Sequence, residues 1–128
     1  MRAARRLTAL VVDDDVPLRE CFREILEEEG YRTRTAGSVA EALECIDEAP
    51  PDLLLVDYVL SGETSDALLA LLAVRADAPA TVIVSASPRV PYVALQFGVL
   101  FVPKPFSLEH LTQMLSRALV EGRRPRPF

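Results

Sequence analysis

Five short apolar runs alternate along the chain with segments whose apolar residues recur at helical spacing. The runs are Leu7 to Val12, Tyr31 to Ala36, Leu53 to Val56, Thr81 to Val84 and Leu100 to Val102. Most are apolar nearly throughout, as strands covered on both faces must be. Strands alternating with helices in this way form right-handed βαβ units around a parallel sheet, which assigns the chain to the α/β class. The run from Tyr31 to Ala36 differs, because Arg32 and Arg34 alternate with smaller residues. That pattern belongs at a sheet edge, where charge discourages pairing with other chains.

The intervening segments carry their own start and stop signals. A first helix begins near Pro17, puts Leu18, Phe22, Ile25 and Leu26 on one face and meets Gly30 at its end. A second opens with the capping-box pattern Ser38-Val39-Ala40-Glu41, buries Val39, Leu43 and Ile46, and stops at Pro50-Pro51. The last starts after Ser107 with Leu108, Leu111, Leu115 and Ala118 at core spacing. Between Ala67 and Val74 every residue is Ala, Leu or Val, so a third helix there is either covered deeply or offers a partner or dimer patch, with Leu69 and Leu72 as the expected exposed pair. The fourth, between Pro91 and Gly98, has room for only about two turns and is expected to be an irregular segment.

The chain has 128 residues and half of them are apolar, which suits one domain with one sizeable core. The expected division is a basic tail over residues 1–6, a folded body over 7–121 and a disordered tail over 122–128. No run of about 18 apolar residues and no apolar leader is present, which leads us to expect a cytoplasmic protein. Cys21 and Cys45 lack metal or redox spacing and are expected to be small core hydrophobes. The net charge of −5 is unevenly placed: residues 7–122 hold eight basic against nineteen acidic residues. A body so acidic argues against a nucleic-acid-binding face.

In a parallel α/β sheet, ligands bind beyond the carboxyl ends of the strands. The first strand ends in Asp13-Asp14-Asp15, the third in Asp57, the fourth in Ser85-Ala86, and the fifth runs into Lys104-Pro105. Two unit charges 4 Å apart near a protein surface repel by roughly 4 kcal/mol, so clustered carboxylates call for a cation or a raised pKa. Mg²⁺, or Mn²⁺ in its place, suits an open acidic pocket. Asp57 is then placed to attack phosphorus and become an aspartyl phosphate, with Lys104 neutralising the transferring oxygens and Ser85 donating its hydroxyl. Lys104 is the only Lys, against thirteen Arg. A compact ammonium and a planar guanidinium are not interchangeable at such a site. His110, the sole His, falls on the last helix and is expected at the surface.

Four stretches, Leu10-Val11-Val12-Asp13-Asp14-Asp15, Asp52 to Tyr58, Val82-Ile83-Val84-Ser85-Ala86 and Phe101-Val102-Pro103-Lys104-Pro105-Phe106, resemble the response-regulator receiver family in order and spacing. The similarity spans about residues 7 to 120. It implies a flavodoxin-like, doubly wound five-stranded sheet of order 2-1-3-4-5 with helices on both faces. It further implies Asp57 as phosphoacceptor, and Asp14 as direct metal ligand, with Asp13 acting largely through water and the Val59 carbonyl completing the set. Ser85, with Ala86, would be the phosphate-binding switch position and Lys104 the phosphate-binding ammonium. Phe101 would be the aromatic reporter to the face formed by the last strand and the helices on either side of it. The Lys104–Pro105 peptide is expected to be cis, and Asp15 to cap a helix. The implied partners are a sensor histidine kinase or phosphotransfer protein and a downstream protein target, with a homodimer possible and no nucleic acid or membrane.

Several positions depart from the family pattern. Ser61 replaces the usual Pro, the stretch Gly62-Glu63-Thr64-Ser65-Asp66 reads as a long loop, and the span from Ser85 to Lys104 is short. Phe101 lacks the hydroxyl of the commoner Tyr. Val59 and Ser87 offer no carboxylate or carboxamide to orient an attacking water, which implies slow self-dephosphorylation. Two other readings remain open: an interaction module of the same fold without phosphorylation, and an aspartate phosphatase, which would want an acid where Val59 stands.

Overall fold

The computed structural model describes residues 6–122. Most of the expected basic tail and the Arg/Pro-rich end from 123 onward lie outside the described residues. Arg6, the last residue of that expected tail, donates to the carbonyls of Gly30 and Tyr31 at 3.3 and 3.4 Å.

Strands β1 (Thr8–Val12), β2 (Arg32–Ala36), β3 (Leu53–Val56), β6 (Ala80–Ser85) and β7 (Leu100–Pro103) form one parallel sheet in the order β2-β1-β3-β6-β7. These are the five expected strands in the expected lateral sequence. Their numbers differ because two unforeseen strands, β4 (Val59–Leu60) and β5 (Glu63–Thr64), form a separate antiparallel ribbon. The Arg-bearing β2 is at the edge, as its charge pattern requires.

Successive strand residues face opposite ways, and the core divides accordingly. Leu10, Val12, Leu54, Val56 and Ile83 pack beneath helices α2 (Val39–Glu48), α3 (Asp66–Ala73) and α4 (Val90–Phe97). Ala9, Val11, Leu53, Leu55, Val82 and Val84 meet Phe22 and Leu26 of α1 (Val16–Glu28) and Leu111, Leu115 and Ala118 of α5 (Leu108–Gly122). Each fully buried Leu or Val contributes about 1.5–3 kcal/mol relative to leaving it in water. The sheet therefore gains on both faces. Among the described residues no helix is long and apolar enough to cross a membrane.

Helix starts follow local chemistry. Asp15 caps α1 by accepting the Leu18 N–H at 3.2 Å. Ser38 accepts the Glu41 N–H at 3.1 Å, while Glu41 reaches back to the Gly37 N–H at 3.1 Å. The segment expected to be irregular is instead a regular α-helix over Val90–Phe97, and at its far end Gly98 adopts a left-handed φ of 66° that a side chain would strain.

Some expectations are corrected. Leu69 and Leu72 are not an exposed pair: both are buried, with Leu68, against the sheet, and Leu71 and Val74 face outward instead. A helix of Ala, Leu and Val alone carries no periodic signal from which its phase could be read. Cys21 is exposed, because Phe22 and Leu26 define the core stripe of α1 and Cys21 lies off it; Cys45 is half-buried against the core. Leu108 is also exposed, at the very start of α5. The supposed long loop after Asp57 is the β4–β5 ribbon, closed by Ser61-Gly62 with Gly62 at a φ of 75°.

Candidate functional site

The carboxyl ends of β1, β3, β6 and β7 bring Asp13, Asp57, Ser85 and Lys104 to one edge of the sheet. Lys104 Nζ donates to Asp57 Oδ2 at 2.8 Å and lies 3.9 Å from Asp13 Oδ2. Its backbone N–H donates to the Ser85 carbonyl at 3.1 Å, tying the end of β7 to that of β6. The Lys104–Pro105 peptide is cis. Asp57 is held at both ends, since its N–H donates to the Val12 carbonyl at 3.0 Å and its Oδ1 accepts the Val59 N–H at 3.2 Å. Ser85 is buried, and its Oγ accepts the Ser87 N–H at 3.3 Å. Ala86 beside it is exposed, and Phe101 on β7 is half-buried against the cluster under α4.

Asp13 is the most burdened group of the set. It is only 2 % exposed, and although Oδ1 accepts the Asp15 N–H at 2.9 Å, Oδ2 has no hydrogen-bond partner. Burial, reinforced by the charges of Asp57 and Asp14, pushes its carboxyl above the usual range despite the attraction of Lys104. Asp14 next to it is exposed.

A buried carboxylate oxygen without a partner, close to two further carboxylates, fits a hard divalent cation. The β4–β5 ribbon adds a neutral donor. The Ser65 N–H donates to the Tyr58 carbonyl at 2.8 Å, one step outside the Val59–Thr64 pair. Hydrogen-bonded and non-hydrogen-bonded pairs alternate in antiparallel ribbons, so Val59 occupies a non-bonded position and its carbonyl is not consumed by the ladder. Among the described residues no three His, Cys, Asp or Glu side chains are grouped so as to hold a metal ion by themselves. The donors fit an open site completed by water, and not a structural zinc centre. His110 is exposed on α5.

The sequence did not single out the residues that brace Asp57 from behind. Ser65, fully buried, donates its hydroxyl to the Asp57 carbonyl and lies 3.1 Å from the Tyr58 carbonyl. The Tyr58 hydroxyl donates to Asp66 Oδ2 at 2.7 Å, an oxygen that also accepts from the Thr64 hydroxyl at 2.8 Å. Glu63 accepts the Val39 N–H at 3.2 Å, joining the ribbon to the start of α2. In sequence Ser65 and Asp66 read as part of a long loop, so their contacts with the strand end left no trace in the pattern.

Residues 9–116 match the family model of the response regulator receiver domain. The chain belongs to that family, whose members are the receiver domains of two-component systems. It is 30% identical over 117 residues to the DNA-binding transcriptional regulator NtrC of Bradyrhizobium sp. (strain RP501 Parasponia), covering 88% of this chain and 24% of that protein. It is 32% identical over 115 residues to the nitrogen assimilation regulatory protein NtrX of Azorhizobium caulinodans, covering 86% and 25%. The crystal structure of the receiver domain of NtrX from Brucella abortus superposes with a TM-score of 0.79 at 32% identity, covering 88% of this chain and 98% of that one. The chain thus spans about a quarter of the length of the NtrC and NtrX relatives it matches.

Proposed function

We propose that the chain is a phosphorylation switch in which Asp57 takes a phosphoryl group from a phosphohistidine on a sensor histidine kinase or phosphotransfer protein. An Asp57 carboxylate oxygen attacks phosphorus, the phosphorus–nitrogen bond breaks, and the imidazole nitrogen leaves with the electron pair. The observation that carries this reading is the 2.8 Å contact of Lys104 with Asp57 beside the unpartnered oxygen of Asp13. Asp13, Asp14, Asp57 and the Val59 carbonyl would hold Mg²⁺ or Mn²⁺, Asp13 largely through water. When bound, the metal supplies positive charge against the phosphoryl oxygens. Lys104 moves from the carboxylate to the incoming oxygens, and the Ser85 hydroxyl, still accepting the Ser87 N–H, donates its own proton to one of them.

Output would run through protein contact at the face of α4, β7 and α5. Phe101 packs beneath this face, and Tyr92 and Leu95 stand 76% and 83% exposed on it. The acidic body offers no complement to a phosphate backbone. Incubation with acetyl phosphate and Mg²⁺, followed by a Phos-tag gel, should retard the wild-type protein but not Asp57→Ala. Equal mobility of the two, with and without metal, would refute the switch and leave an interaction module of the same fold.

A further inference from the structure

We propose that Ser65 is a positioning residue for phosphoryl acceptance, fixing the main chain of Asp57 through its hydroxyl; the inference rests on Asp57 being the phosphoacceptor. Ser65 stands at the N-cap of α3, where a Ser side chain ordinarily accepts an N–H from the first turn. Here it makes no such bond. Its hydroxyl turns away from the helix toward the carbonyl of Asp57, with the Tyr58 carbonyl at 3.1 Å. Both neighbours are acceptors and a hydroxyl has one proton, so that proton is shared between the two carbonyls.

The consequence is geometric. The peptide group before Asp57 is pinned by its N–H to the Val12 carbonyl at 3.0 Å, and the one after it by Ser65. With both flanking peptides fixed, the carboxylate is left only its side-chain torsions, and Lys104 and the Val59 N–H constrain those. Asp57 therefore meets a donor already oriented, which is where intramolecular positioning yields rate. Ser65 is also fully buried. Asp66, the next residue, takes the Tyr58 and Thr64 hydroxyls, so the whole start of α3 is committed to this strand end.

The test compares wild type, Ser65→Ala and Ile46→Val, the last a mild destabilisation in the α2 layer away from the site. Each is phosphorylated with acetyl phosphate and Mg²⁺ well below its melting temperature. In parallel, the ¹³C resonance of the Asp57 carbonyl is recorded. Ser65→Ala is expected to lower the phosphorylation rate constant about tenfold and to move that resonance, whereas Ile46→Val alters neither. Should the alanine variant fold poorly, Ser65→Cys keeps a side-chain donor, a larger and weaker one, and should also be slowed. A Ser65 variant that folds and reacts at the wild-type rate overturns the proposal, as does an equal loss of rate in Ile46→Val. Absence of phosphorylation in the wild type, or its persistence in Asp57→Ala, instead strikes the phosphoacceptor assignment and takes the Ser65 role with it.

Discussion

Asp13→Asn should make the metal-free protein more stable while disabling its chemistry. The side chain is buried, one oxygen is bonded to the Asp15 N–H, and the other has no partner. A buried polar atom left unsatisfied costs about 1–3 kcal/mol. Against this, the attraction of Lys104 at 3.9 Å has a gross value of about 4 kcal/mol at an effective dielectric of 20, opposed by repulsion from Asp57 and Asp14. Burial and repulsion win, since the Asp13 carboxyl is shifted upward. For a raised carboxyl, the stabilising contribution is complete below the unfolded pKa and is lost as pH rises through the folded one. The ionised group therefore opposes folding relative to the protonated one. Asparagine keeps the Oδ1 acceptor and leaves its Nδ2 as poorly partnered as Oδ2 was, so the gain comes only from removing the buried, repelled charge: about 1 kcal/mol or roughly 4 °C in Tm. Urea or thermal denaturation in EDTA measures it. Magnesium at ten times its Kd should then add about 1.4 kcal/mol to wild type and much less to the variant. An asparagine variant less stable than wild type in EDTA would sink the argument that Asp13 is held at a cost for the metal.

Lys104→Met should cut phosphorylation at least about tenfold, and Lys104→Arg should not restore it, because a planar fork cannot occupy the position of a compact ammonium 2.8 Å from Asp57; wild-type kinetics in the Arg variant would contradict this. Ile83→Ala, at a fully buried site in the central layer, should cost about 2–5 kcal/mol in urea denaturation. Val59, half-exposed beside Asp57, offers no group to orient water. The phosphorylated protein should therefore persist for minutes or longer when followed by Phos-tag after removal of the donor, and decay within seconds would show that another group supplies that function.

The strands were legible because a two-sided sheet demands unbroken apolar runs, and the residue after each run marks where that strand meets solvent. That is why Asp13, Asp57, Ser85 and Lys104 could be assigned to one edge from the sequence. The helices were legible where caps and a polar face coexist, as in α1 and α2. They were illegible where composition is uniform. In α3 every candidate face is apolar, and the burial of Leu68, Leu69 and Leu72 in the core under the sheet is decided by packing from outside the helix, with Asp66 held to Tyr58 and Thr64 at its start.

The same contacts explain why the support of Asp57 could not be read in advance. Its bonds to Ser65 join residues eight apart through a ribbon of two-residue strands, too short to show an alternating pattern. A hydroxyl aimed at a carbonyl has the same sequence signature as one aimed at a helix N–H. Only the direction of the side chain separates a cap from a brace, and that direction is set by the β4–β5 ribbon, which turns Ser65 back toward the strand it followed. The chemistry of the site is thus carried by residue types visible in the sequence. The precision with which Asp57 is held depends on folding geometry that those types do not encode locally.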